Sequence, residues 1–437
     1  MRMLSKMKYW TGALLLSALV FTACDDEEGE APELEIEALT ATGTDLTTGE
    51  EITVDLNAPS SASDVPPDAI FEITFDREVD AETANASNIS VSDGDSDVEI
   101  TIDISGSIVT VTPNEDLIQG TDYTVSVSSG LTAADGGIIS NGSRTFETAG
   151  RLPVEPAFED QQVLYINFDG NAIDLTGNYA DGEETAIEYV EDRFGRVASA
   201  ASFDGDESII EVLEADQLME TSDFTLSVWV QINSEDHVNE NGDPTGHFIF
   251  GLGGFYGFQM ETNNATESVI MPVRFETDEG TLWGDNLFFN GDGMDNTNGG
   301  WQGSEFRADL ESTGGVPSLL GDQQWAHLVY TYDSETMKRK LFINGEVMQI
   351  DDFTLWPEDS DPTKTVGLKF EANDDVENIL ALGFIRSKDS NLFANDAFGD
   401  YYSPTSNHFK GLMDDFRVFH AAYSEEDVEA LYEAERP

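Results

Sequence analysis

Short runs in which apolar and polar residues alternate fill most of this chain, and turn-forming residues separate them. At 70–76, Phe71, Ile73 and Phe75 alternate with Ile70, Glu72, Thr74 and Asp76. Val98–Ile102, Ile108–Val111 and Tyr123–Val127 repeat the pattern with β-branched residues, and Asp93-Gly94, Ser105-Gly106 and Asn141-Gly142 punctuate it. Period-two alternation between such turns predicts half-buried strands, each with one face on a core. About seven strands over 33–150 predict a β-sandwich. Beyond Pro153 and Pro156, which mark a linker at 151–162, the runs Leu164–Phe168, Ala201–Phe203, Phe224–Val230, Trp325–Tyr332, Leu341–Ile343 and Leu412–Val418 read as strands of a larger sandwich over 163–437. The period changes at the end. Ser424 and Asp427 form a capping-box pair, and Val428, Leu431 and Tyr432 share one helical face. The expected fold class is all-β with a short C-terminal helix.

The first residues follow neither period. Arg2, Lys6 and Lys8 precede an apolar run, Thr11–Phe21, too short to span a bilayer comfortably, and small residues then lead to Cys24 and four acids. That order describes a bacterial export signal. Cys24 is the only cysteine, so no internal disulfide forms, and core size or bound metal must stabilise the fold. Phe21-Thr22-Ala23-Cys24 resembles a lipobox, which implies a signal peptide at 1–23, cleavage before Cys24 and lipidation there, with membrane contact by the lipid alone. Residues 24–32 form an acidic tether. It resembles the run after the lipidated Cys in surface lipoproteins of glycan-foraging Gram-negative bacteria, and so implies an outer-membrane, cell-surface location.

Charge narrows the partners. With 87 acidic and 20 basic residues the formal net charge is −67, a field that repels nucleic-acid phosphates and anionic lipid headgroups.

Phe71-x-Ile73-x-Phe75-Asp76, Leu117-x-x-Gly120-Thr121-x-Tyr123 and Phe146-Glu147-Thr148 together resemble the bacterial Ig-like domain of surface-layer and adhesin-type proteins. The resemblance implies that 33–150 is a spacer. Phe168-Asp169-Gly170, Phe203-Asp204-Gly205, Trp325-Ala326-His327, Tyr332-Asp333, Asn344-Gly345 and Gly411-Leu412-Met413-Asp414-Asp415, in that order, resemble the laminin-G-like, concanavalin A-like jelly roll. Asp174, Asn178, Asp181 and Asp414 match family positions near a metal-bearing rim, and the likeness makes them candidates for a structural calcium ion with hard oxygen ligands. The competing reading is an Asx-type turn built by Asp174 and Asn178.

Three of the six tryptophans, Trp283, Trp301 and Trp356, lie in Gly- and Asp-rich stretches, and 278–324 reads as a long loop insertion. An exposed aromatic ring among amides and carboxylates suits a sugar, so these residues and Tyr256 are the candidate ligand-binding set. Alternatively, each Trp anchors its loop by packing inward. Tyr401 and Tyr402 are weaker candidates of the same kind. Catalysis finds little support. The five histidines lack His-Glu-x-x-His spacing, no Gly-x-Ser-x-Gly occurs, and the C-terminal domain lacks the Glu-x-Asp-x-x-Glu of related hydrolases. Glu78, Asp80 and Glu82 fall in an expected loop, and Asp93, Asp95 and Asp97 in a solvated acidic hairpin. The expectation is a non-enzymatic, surface-anchored lipoprotein whose jelly roll binds extracellular carbohydrate. The alternative is an adhesion or assembly module that binds outer-membrane transporter proteins, and a divergent hydrolase stands third.

Overall fold

The computed structural model describes residues 33–437 except 47, 58–60, 141, 151, 153, 322 and 393–398. The export signal, Cys24 and the tether lie outside the described residues.

The chain divides into two compact units. The smaller is a sandwich of a five-stranded and a four-stranded sheet. The Ile70–Phe75 strand shows how its sequence specifies it: Phe71, Ile73 and Phe75 are buried, whereas Ile70 and Glu72 are exposed. Phe71 and Tyr123 bracket Phe146 at ring distances of 5.2 and 5.8 Å, so each Ig-like motif contributes at least one ring to the core. Ser105-Gly106 turns the hairpin between Ile100–Ser105 and Ile108–Pro113, with Gly106 at φ 65°, where glycine alone is unstrained. Asp93 caps the acidic hairpin by accepting from the Asp95 and Ser96 N–H groups (2.9 and 2.7 Å), bonds that hold its carboxyl below the usual range.

The larger unit packs a nine-stranded sheet on an eight-stranded one. The first strand, Gln162–Ile166, pairs with the last, Lys410–Phe419. Phe224–Ile232 runs mid-sheet. Phe224, Leu226, Val228, Val230 and Ile232 enter the core between the sheets. Its other face meets the C-terminal helix Glu425–Glu435, where Trp229 stacks on Tyr432 at 5.7 Å and its indole N–H donates to Glu435 (2.8 Å). The capping box forms as expected, Asp427 N–H donating to Ser424 Oγ and Ser424 N–H to Asp427 Oδ2. Beneath the helix Arg193, Asp414, Asp415, Arg417 and Glu435 form a buried charge network. Part of one outer face of the unit is thereby covered.

The expected loop insertion at 278–324 proves largely ordered. Leu282–Phe289 extends the eight-stranded sheet by a full edge strand, and Ser304–Arg307 extends the nine-stranded sheet. The segment therefore crosses from one sheet to the other along a sandwich edge. Its Asn, Asp and Gly content concentrates in the crossing, 290–303.

Candidate ligand-binding groove

The outer face of the eight-stranded sheet is only partly covered. Ile209, Phe248, Ala381, Phe384, Ile385 and Tyr401 form a small apolar cluster at one end, under the loop that follows Leu380–Leu382. Beside it lies a groove of about 670 Å³. Its floor comes from alternation on one strand. Phe258 and Met260 of Phe258–Asn263 enter the core, so Gln259, Glu261 and Asn263 face outward. Across the sheet, Phe248, Glu261, Ile270 and Phe288 stand in one paired row.

Two loops form the walls. One, 233–247, contributes Asn239, Asn241 and Thr245, and is fixed by a stacked histidine pair, His237 and His247, with ring centroids 4.4 Å apart. Thr245 bonds His237 Nδ1 (2.9 Å) and Ser234 bonds His247 Nε2 (2.9 Å). Burial lowers both ring pKa values, His237 to about 4. The other wall contributes Thr405 and Asn407. Phe255, 44% exposed, also lines the groove.

Polar groups in this setting are perturbed. The Gln259 amide donates to Glu261 Oε2 (3.1 Å), while the Gln259 side chain is 1% exposed and its Oε1 has no partner among the described residues. Burial raises the Glu261 carboxyl to about 7 against the opposing effect of the Gln259 bond. A carboxyl near its midpoint can donate as well as accept. The groove thus combines an exposed aromatic ring, amides and an adaptable carboxyl.

The residues singled out from sequence lie elsewhere. Trp283, on the edge strand, stacks on core Phe275 (5.1 Å) and donates to Thr365 Oγ1 (3.0 Å). Trp356 meets Trp283 at 6.4 Å and Trp301 at 5.3 Å, so the three form a file from core to surface along the closed edge. Only Trp301 is exposed, at 50%. None of them lines the groove. Trp283 packs its indole on Phe275 and Phe353, and Trp301, within the crossing segment, rests on Trp356. Tyr256 packs on the core beside the Arg274–Glu371 pair, with Arg274 5.9 Å from its ring. The neighbouring residue, Phe255, is the one at the groove.

The four calcium candidates are not gathered. Asp174 accepts from the N–H groups of Tyr165, Thr176, Asn178 and Tyr179 (2.9–3.1 Å) and from the Thr176 hydroxyl. Asn178 donates to Val163 O (3.1 Å), and Asp181 is exposed. Asp414 belongs to the buried network, paired with Arg193. The first and last strands do meet, but Asp174 serves a turn and Asp414 an ion pair. Among the described residues no group of three or more His, Cys, Asp or Glu is placed to hold a metal ion.

Fold and groove define a two-domain β-sandwich protein with a groove on one sheet face. Residues 47–148 match the bacterial Ig-like domain family, and residues 204–376 match the concanavalin A-like lectin/glucanases superfamily, so the chain carries a bacterial Ig-like domain followed by a concanavalin A-like domain. No curated protein matches the sequence. Among solved structures it is similar to the botulinum neurotoxin serotype D ligand-binding domain in complex with N-acetylneuraminic acid (16% identity over 63% of this chain and 51% of that one, TM-score 0.38). It is also similar to the binding domain of Paraclostridial mosquitocidal protein 1 (15% identity over 63% and 52%, TM-score 0.38). The chain spans about half the length of these structures. Likeness this loose says nothing of what this chain binds.

Proposed function

We propose that the concanavalin A-like domain binds extracellular carbohydrate without hydrolysing it, and that the Ig-like domain serves as a spacer above a lipid anchor at Cys24 on the cell surface. The observation that carries the binding reading is the groove: an exposed Phe255 ring beside Gln259, Glu261, Asn263, Asn241 and Asn407. Pyranose rings offer a C–H face to an aromatic ring and a rim of hydroxyls to amides and carboxyls. The volume of about 670 Å³ is in the range of small-ligand sites, enough for a few sugar units. Hydrolysis by the common route needs two carboxyl groups flanking one bond, and the only other carboxyl in the described lining, Glu240, belongs to an exposed residue of the loop.

Affinity electrophoresis through gels cast with neutral glucans, mannans, xylans and galactans tests this. Retention by at least one gel, lost in Phe255→Ala and kept in Trp301→Ala, is the expected result. No retention across the panel, with pull-down of an outer-membrane transporter instead, would favour the assembly reading. Cys24→Ser should move the protein from the membrane fraction to the soluble one.

A further inference from the structure

We infer that the groove takes uncharged glycans and turns away carboxylated or sulfated ones, an inference that rests on the carbohydrate reading above. Proteins hold anionic sugars through Arg and Lys, whose donors match carboxylate and sulfate. The described lining of this groove contains Glu240 and Glu261 as its ionisable residues, the rest being amide, hydroxyl or apolar. The wall segments 239–246 and 399–407 carry Glu240, Asp243 and Asp400 and neither Lys nor Arg.

Cations occur on or beside this face but not in the described lining, and each is held by other groups, with only the Nε of Arg274 and of Arg386 left without a partner among the described residues. Arg274 pairs with Glu371 (2.6 Å) and Lys388 with Glu211 (2.8 Å). Arg386 is 1% exposed and donates to the carbonyls of Ser387 (3.2 Å), Ser390 (3.0 Å) and Gly399 (2.5 Å), holding the covering loop together. Lys410 Nζ donates to Glu235 O (2.5 Å). The paired histidines of the wall are kept neutral by burial. A uronate or sulfate entering the groove would meet carboxyls in a partly dry space, with no cation in the described lining, and within the field of a chain at −67. A neutral sugar meets none of that opposition, and Glu261 in its protonated form offers a hydroxyl both a donor and an acceptor.

Pairs of glycans that differ only in charge test the inference: methyl-esterified against free polygalacturonate, and cellulose oligomers against carboxymethylated ones, beside the neutral panel. The full chain is titrated with each near physiological salt. The expected result is that retained neutral glycans bind about tenfold or more tighter than charged counterparts, and that Glu240→Lys with Asp243→Lys narrows this ratio. Charged glycans held as tightly as neutral ones would overturn the inference and leave carbohydrate binding standing. An unchanged ratio in the double variant would overturn the assignment of selectivity to these walls. Failure to retain any glycan would sink the carbohydrate reading itself, and this inference with it.

Discussion

Glu261 accepts a hydrogen bond from the amide of Gln259, two residues along one strand and on the same outer face, 3.1 Å away. The bond favours the carboxylate, yet burial wins and raises the group from 4.5 to about 7. A folded-state pKa above the unfolded one gives stability that is complete below pH 4.5 and is lost as pH rises through about 7. Across that window the unfolded chain releases the proton first. The displacement corresponds to at most about 3 kcal/mol. Glu261→Gln should therefore flatten the fall in urea-unfolding stability between pH 4.5 and 7.5. A variant that keeps the wild-type slope would show that Glu261 is solvated like an ordinary surface acid.

The stacked histidines give the opposite slope. His237 titrates near 4 in the folded chain, and His247 is held well below its usual 6.5, in both cases because burial penalises the charged ring first and Lys410 opposes it further. Above pH 6.5 the rings are neutral whether folded or not. As pH falls from 6.5 toward 4, unfolded rings take up protons that the stack refuses, and the 233–247 loop loses stability. Hydrogen exchange of that loop, corrected for intrinsic rate, should accelerate from pH 6.5 to 4.5 in wild type and less steeply in His237→Gln. A loop whose protection is constant over this range would refute the coupling.

Trp283 and Phe255 should separate stability from binding. Trp283 lies against Phe275 and Phe353, so Trp283→Ala removes a half-buried indole from the sandwich edge and lowers stability by about 2–4 kcal/mol. It should leave glycan retention intact below its lowered melting temperature. Phe255→Ala should do the reverse: a change within about 1 kcal/mol in unfolding, with retention lost. Loss of retention in a folded Trp283→Ala would return the site to the tryptophan file.

The contrast between these residues shows what the sequence could disclose. Alternation at Phe71, Ile73 and Phe75 is readable because strand period alone decides which side chains are buried. The Asn- and Gly-rich stretch at 278–324 concealed an edge strand whose apolar positions, Trp283, Leu287 and Phe289, keep period two within polar company. The Gly251–Gly257 run held the groove aromatic, but two successive left-handed glycines, Gly253 and Gly254 (φ 60° and 58°), precede Phe255 and Tyr256. That turn sends one ring to the groove and the other to the core, and nothing in the residue types says which. Gln259, Glu261 and Asn263 alternate with core Phe258 and Met260, but no motif marks that polar strand face. Only the loops that wall it, 233–247 and the one after Leu382, distinguish a groove from ordinary solvated surface.

Asp174 is where the turn and calcium readings make different forecasts. Its carboxylate already receives four backbone N–H groups and the Thr176 hydroxyl, a donor set that satisfies an anion as a cation would. Asp174→Ala strands those N–H groups in a partly buried turn and should lower stability by about 2–4 kcal/mol. Because the loss comes from protein donors, it should be the same in EDTA and in millimolar calcium. Asp414→Ala should also destabilise, by about 3–5 kcal/mol, since it leaves the buried Arg193 guanidinium short of a counter-charge. Thermal unfolding of wild type and both variants, with and without calcium, decides between the readings. A calcium-dependent rise in Tm that wild type shows and Asp174→Ala lacks would restore the metal site and require the turn to open its carboxylate to the ion.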